Sequence, residues 1–156
     1  MPRSIVHGSF TIVRHLKHAP LRVFDAFAKE EAKAKWFAGP PGWEQHEKHF
    51  DFREGGREVL KGKHGSGTVS AFDCLYRDIM EPSAGEAGRI IYSYVMHLDG
   101  RKISVSQASI EIVPEGAGTK LVVTEYGDFL DGYDDAGSRE HGTGDLLDRL
   151  GKSLNA

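Results

Sequence analysis

From Trp43 to about Asp128 the chain alternates short runs of β-branched and aromatic residues with abrupt turns, and that segmentation narrows the fold more than any other feature. The breaks fall at Glu54-Gly55-Gly56, Gly65-Ser66-Gly67, Asp99-Gly100 and Pro114-Glu115-Gly116-Ala117-Gly118, with a looser loop from Glu81 to Gly88. Parallel pairing needs crossovers of about a dozen residues or more, so connections this short predict antiparallel neighbours. Asp99-Gly100 is the clearest hairpin signal, because both residue types tolerate the positive φ angles of a type I′ turn. The strands predicted between these breaks are Trp43 to Arg53, Arg57 to His64, Thr68 to Ile79, Arg89 to Leu98, Lys102 to Val113 and Thr119 to Tyr126. Glycine supplies 19 of 156 residues, about 12% against a usual value of about 7%, and most of it sits in these turns.

The two ends read differently. Ser9 to Leu16 is rich in β-branched residues and predicts a first strand, stopped by Ala19-Pro20. Leu21, Val23, Phe24 and Phe27 then recur at helical spacing, with Pro20 acceptable in a first helical turn. A second helical piece, Lys29 to Phe37, places Ala32 and Trp36 on one face before Gly39-Pro40-Pro41-Gly42 ends it. Leu146, Leu147, Leu150 and Leu154 predict a closing helix of about four turns, its start weakened by Gly142 and Gly144. There is no internal repeat and no low-complexity linker, so residues 1–156 are expected to form one domain. Strand, two short helices, six strands and a long helix make an α+β chain with helices on one face of an antiparallel sheet.

Composition removes several function classes. With 20 basic and 23 acidic residues the formal net charge is −3, which argues against nonspecific nucleic-acid binding. No apolar run reaches about 18 residues, so no membrane span is expected. Met1-Pro2-Arg3-Ser4-Ile5-Val6-His7 lacks the apolar stretch of a secretory signal. Cys74 is the only cysteine, leaving no internal disulfide and no multi-cysteine zinc site. A cytoplasmic setting is the expectation.

Few chemical motifs stand out. The eight histidines show no metal-ligand spacing: His46 and His49 would face opposite sides of a strand, and no His-Glu-x-x-His pattern occurs. No metal and no cofactor are therefore expected, and chelation should leave the melting temperature unchanged. Gly55-Gly56 lacks the residues of a phosphate cradle, Ser66 reads as a turn residue and Cys74 as an inert buried thiol. Aromatic residues cluster where the short helices should meet the sheet, which fits either a packed core or an aromatic-lined pocket. Ile90, Tyr92, Tyr94, Met96 and Leu98 form the apolar set of their strand and are taken as its inward face. If Leu121 and Val123 point inward, alternation carries Glu125 inward with them; the alternative is a strand that ends there and leaves Glu125 in water. An inward carboxylate must pair, neutralise or bind something, and Arg53 or Arg57 could serve as its partner.

Ala19-Pro20-Leu21-Arg22-Val23-Phe24-Asp25-Ala26-Phe27, Lys35-Trp36-Phe37 and Phe50-Asp51-Phe52-Arg53-Glu54-Gly55-Gly56-Arg57 occur here in order. Gly118-Thr119-Lys120-Leu121, Thr124-Glu125-Tyr126-Gly127 and Leu147-Asp148-Arg149-Leu150 follow. Together they resemble the SRPBCC group of the START-like superfamily, in the branch related to the C-terminal domain of the activator of heat-shock-protein-ninety ATPase. The resemblance implies a helix-grip fold, in which a curved seven-stranded antiparallel sheet wraps a long C-terminal helix and leaves a cavity between them. It also places Trp36 beside the cavity entrance. One departure is Gly142-Thr143-Gly144, where that helix usually opens with Gly-Trp.

Relatives of this fold include lipid carriers, polyketide cyclases and co-chaperone domains, so fold leaves function open. The first expectation is binding of an apolar or amphipathic small molecule. Its cavity would be lined by Trp36, Phe37, Trp43, Phe52, Tyr92, Tyr94, Met96, Glu125, Phe129, Leu147 and Leu150. The second is a cyclase- or hydrolase-type enzyme using Glu125, Tyr94 or a histidine as acid or base. The third is a protein-interaction module with a chaperone partner; a homodimer is compatible with each. A dry cavity favours the first, a polar pair within hydrogen-bond reach inside the pocket the second, and a filled core with a large exposed apolar patch the third.

Overall fold

In the computed structural model, residues 3–155 are described; Met1, Pro2 and Ala156 lie outside the described residues. Strand β1 (Ile5–Leu16) is followed by helices α1 (Pro20–Ala28) and α2 (Glu30–Ala34). Strands β2 (Glu44–Phe50), β3 (Arg57–Lys63), β4 (Val69–Met80), β5 (Gly88–Leu98), β6 (Arg101–Glu115) and β7 (Gly118–Leu130) come next, and helix α3 (Ala136–Leu154) ends the order. The strands make one seven-stranded sheet in the order β1-β7-β6-β5-β4-β3-β2. Every neighbouring pair is antiparallel. Successive strands are joined by short turns, and only the step from β1 to β2 crosses the sheet. The two short helices occupy that step.

Asp99 (φ 50°) and Gly100 (φ 78°) both adopt the left-handed conformation that the β5–β6 hairpin requires. Strand β7 runs on to Leu130 because β1 begins at Ile5 and pairs with it from Ile5↔Leu130 to Leu16↔Thr119. Neither extension was expected from composition, since the added residues include Gly8, Gly127 and Asp128. Strand β2 stops at Phe50 rather than Arg53, because the Asp51–Gly56 segment closes on itself through Gly56 N–H to the Arg53 carbonyl at 2.8 Å. Helix α2 ends at Ala34, so Trp36 and Phe37 fall in the turn beyond it.

Helix α3 starts at Ala136, well before its leucine stripe, and spans 19 residues, about five turns rather than four. The Asp135 side chain caps it by accepting from Ser138 N–H at 2.8 Å. Leu147, Leu150 and Leu154 anchor it in a core shared with Phe10, Ile12, Ile112, Leu121 and Val123, and this burial outweighs the poor propensity of Gly142 and Gly144.

Candidate functional site

Between the sheet and α3 lies a cavity of about 430 Å³, partly open to solvent. A void of about 150 Å³ holds benzene, and drug-sized ligands occupy about 300–1,000 Å³, so this space suits a molecule of one to a few rings. The floor comes from strand alternation: Tyr92, Tyr94 and Met96 of β5 lie between Phe72 of β4 and Ile110 of β6, with Val123 of β7 one strand further on. Facing them are Gly142, Thr143, Leu146 and Leu147 of α3, whose small residues leave the space open where the helix crosses. Trp36, Phe37 and Trp43 close the end nearest the short helices.

Of the side chains singled out in the sequence, Trp36, Phe37, Trp43, Tyr92, Tyr94, Met96, Glu125 and Leu147 line this cavity. Phe52, Phe129 and Leu150 do not. Phe52 sits in the turn after β2 and lies edge-on to Phe24 and Tyr76, at 5.8 and 4.9 Å between ring centroids. Phe129 shares the inward face of β7 with Glu125, but the Arg139 guanidinium lies 5.3 Å from its ring centroid at the cavity's end. Leu150 is fully buried in the core.

The two tryptophans are held in different ways. Trp36 packs edge-on against Phe27 and Phe37 and donates its Nε1–H to the Ala26 carbonyl at 2.9 Å. Trp43 rests on glycine backbone: a Cβ at Gly39 or Gly62 would lie 2.0 or 2.1 Å from its ring. Both positions must therefore lack a side chain for the ring to lie where it does.

One end of the cavity is polar. Glu125 is 5% exposed, and the Tyr94 hydroxyl donates to its Oε1. Arg139 Nη1 donates to the Tyr94 oxygen at 2.9 Å, while Nη2 donates to Ser104 Oγ and Asp134 Oδ2, each at 2.8 Å. Thr143 Oγ1 lies 3.4 Å from Glu125 Oε2. Burial raises the Glu125 pKa, against the opposing pull of the Tyr94 hydrogen bond, Arg139 and Thr143. Burial, and then the neighbouring Glu125, likewise raises Tyr94, while Tyr92 is pushed well above its ordinary value chiefly by burial. For Arg139 burial acts to lower the pKa, and Tyr94 and Asp134 together override it.

Alternation thus predicted the inward position of Glu125, but not its neighbours. Arg53 pairs with Asp51 and Arg57 with Asp73, both at the surface. The cation near Glu125 is Arg139, on the same helical face as Thr143 and Leu147 at successive four-residue steps. Extending the leucine stripe back across Gly142 would have found it.

A second polar cluster was missed altogether. Lys33 of α2 reaches Glu58 Oε1 at 2.5 Å, Tyr76 donates to the same oxygen at 2.5 Å, and Lys33 Nζ lies 3.3 Å from the Tyr76 hydroxyl. The ammonium also sits 4.5 Å from the centroid of the Phe37 ring. Alternation from Leu60, which lines the cavity, would have turned Glu58 inward. Burial, then Glu58, raises the Tyr76 pKa. Cys74 is buried as expected, and burial pushes its thiol up to about 12. His64 lines the cavity with Nε2 2.9 Å from Ser70 Oγ. Among the described residues no group of three or more His, Cys, Asp and Glu could hold a metal ion.

Known proteins place this architecture. The family described as Activator of Hsp90 ATPase homolog 1-like protein matches residues 17–155. The chain belongs to this family. The solved structure of an uncharacterised protein from Rhizobium leguminosarum is 40% identical over 99% of both chains, with a TM-score of 0.90. A protein of Rhizobium loti is 38% identical over 96% of this chain and 99% of its own, with a TM-score of 0.86. The solution structure of an AHSA1-like protein from Aeromonas hydrophila shares the fold at 19% identity, covering 95% of this chain and 92% of its own with a TM-score of 0.68. No curated protein matches the chain. No helix among the described residues is long and apolar enough to cross a membrane.

Proposed function

We propose that this AHSA1-like chain binds an apolar or amphipathic small molecule between its sheet and α3. The observation that carries this reading is a cavity of about 430 Å³ whose lining is mainly apolar, with a polar group of Glu125, Tyr94, Arg139 and Thr143 at one end. Such a site gains affinity from burying rings and orientation from a few fixed polar atoms. A cytoplasmic location belongs to the proposal and is supported by the lone, buried Cys74.

One observation favours a second reading. Tyr94 and Glu125 are hydrogen-bonded to each other inside the cavity, the arrangement a proton-transferring enzyme would use, with Glu125 as the acid. A chaperone-docking or dimer-forming role has less support: the exposed large apolar residues Val13, Val105 and Tyr126 on the neighbouring strands β1, β6 and β7 share their face with polar residues such as Thr11, Gln107 and Asp128, while Leu21 and Met80 lie on other elements.

The test uses Trp36 as reporter in a Trp43→Phe variant, titrated with long-chain fatty acids and polycyclic aromatics. Saturable quenching or a blue shift of Trp36 emission is expected. An emission spectrum untouched by the whole panel, confirmed by calorimetry on the wild type, would sink the binding reading. Slow conversion of a bound compound, abolished in Glu125→Gln, would establish the second reading over the first.

A further inference from the structure

Among the described residues Lys33 is the only lysine that borders the cavity, and ligand contact at Glu125 makes no use of it. It stands in the wall: Lys33, Phe37 and Leu60 line both the cavity and a small crevice between α2, β2 and β3. The residue is buried, and lysine is almost never buried so far without a partner. Three rings surround the ammonium, with Nζ 4.5 Å from the Phe37 centroid, 5.6 Å from Phe50 and 6.0 Å from Tyr76. Phe37 meets Phe72 edge-on at 5.0 Å between centroids, which joins this amine to the floor of the cavity.

Two groups next to Nζ can move protons. Nζ donates to Glu58 Oε1 at 2.5 Å, so Glu58 is placed to take a proton from the ammonium and free a lone pair. The Tyr76 hydroxyl donates to the same oxygen at 2.5 Å and lies 3.3 Å from Nζ. An amine held between a carboxylate and a phenol at the wall of an apolar cavity has what carbonyl condensation needs: a nucleophile, a proton acceptor and a proton donor.

Resting on the binding reading above, we propose that Lys33 condenses with an apolar aldehyde held in the cavity and forms an imine. Glu58 takes a proton from the ammonium, Nζ bonds to the carbonyl carbon, and the carbonyl oxygen collects that proton. Nζ then gives a second proton to Glu58, which passes it to the new hydroxyl as the C–O bond breaks and water leaves. Two of the three ammonium protons depart in the water. The third stays on the iminium nitrogen, whose positive charge still faces Glu58, so the buried pair survives the reaction. An acyl donor would instead turn Nζ into a neutral amide and strand the Glu58 carboxylate. An aldehyde also brings one substituent past Phe37, where a ketone brings two.

Naphthaldehyde and cyanoborohydride at neutral pH test this on the wild-type protein. Hydride addition fixes the iminium as a secondary amine, which peptide mass spectrometry can place. Lys33 should carry at least about tenfold more label than any other lysine, because the bound carbonyl is held against it. A purely structural Lys33, buried and paired, would be the least labelled. The label should saturate with naphthaldehyde and fall when excess naphthalene competes for the cavity. Label confined to exposed lysines, or Lys33 label that naphthalene leaves unchanged, would overturn the proposal. Quenching of Trp36 by naphthaldehyde in Trp43→Phe, with Lys33 unlabelled in the wild type, would remove the imine step and leave the binding reading standing. Neither quenching nor label would overturn both.

Discussion

Removing the ammonium of Lys33 while leaving Glu58 in place should be among the most damaging single changes to this protein. Lys33 is 8% exposed and Glu58 4%, and their 2.5 Å contact is reinforced by the Tyr76 hydroxyl on the same carboxylate oxygen. Lys33→Met keeps an unbranched side chain of similar length but loses the ammonium beside the Phe37 ring, and a buried carboxylate is left with the Tyr76 hydrogen bond alone. Breaking a buried pair in this one-sided way costs about 3–5 kcal/mol. Against a typical domain stability of about 5–15 kcal/mol, that is a large fraction of the total. Lys33→Met/Glu58→Gln removes both charges and leaves Tyr76 an acceptor of the same shape, so most of the loss should return. Urea unfolding of wild type, both single variants and the double variant closes a cycle, with coupling of at least about 2 kcal/mol expected at unchanged m-value. A Lys33→Met cost below about 1 kcal/mol, or a double variant no more stable than Lys33→Met, would refute the reasoning.

Burial raises the Glu125 pKa in the folded protein, so the stability linked to its proton is complete below the unfolded value of about 4.3 and is lost as pH rises through the folded value. Glu125→Gln should therefore gain on wild type as pH rises from about 4 to 8; parallel unfolding free energies across that range would count against it. Trp36→Ala should cost about 3 kcal/mol, the low end for a buried aromatic because the ring already borders open space, with Trp36→Phe losing about 1 kcal/mol through the Ala26 hydrogen bond. A Trp36→Ala cost above about 5 kcal/mol in urea unfolding would place the ring in a closed core instead. Gly62→Ala sets a methyl 2.1 Å from the Trp43 ring, so Trp43 emission in a Trp36→Phe background should shift to the red; an unshifted spectrum contradicts the packing. Cys74, buried with its pKa pushed up to about 12, should react with a disulfide reagent only after unfolding, and fast labelling of the native protein would disprove that.

What could be read from the sequence followed from periodicity and turn chemistry. All seven strands and the three helices could be located because glycine-bearing turns and apolar spacing are local signals. The inward positions of Tyr92, Tyr94 and Met96 followed from a period of two. Glu125 followed the same rule, since Leu121 and Val123 are both buried. The errors share a cause. The Ile5–Gly8 and Gly127–Leu130 extensions exist because each supplies hydrogen-bond partners to the other across more than a hundred residues. Gly142 and Gly144 are helical because leucines further along α3 are buried and Asp135 caps the start. Arg139, Lys33 and Glu58 were missed for a further reason: charged residues on otherwise apolar faces are assumed to face water unless a partner is visible, and their partners are remote in sequence.

The two buried polar clusters are built differently, although both border the cavity through Lys33 and Glu125. Around Glu58, Lys33 and Tyr76 converge on one carboxylate oxygen, Lys33 also reaches the Tyr76 hydroxyl, and Lys33 borders the same cavity. Around Glu125 one oxygen is engaged by Tyr94, while the other faces a cavity with only a 3.4 Å contact to Thr143. The volume points the same way. At about 24 cal/mol per Å³, an empty void of about 430 Å³ would cost on the order of 10 kcal/mol, comparable to the stability of a whole domain. A chain with Gly142 and Thr143 in place of larger side chains keeps that space only if water or a ligand fills it. Water gains nothing from Phe72, Tyr92 and Met96, whereas an apolar or amphipathic molecule of the kind proposed above would bury its surface against them.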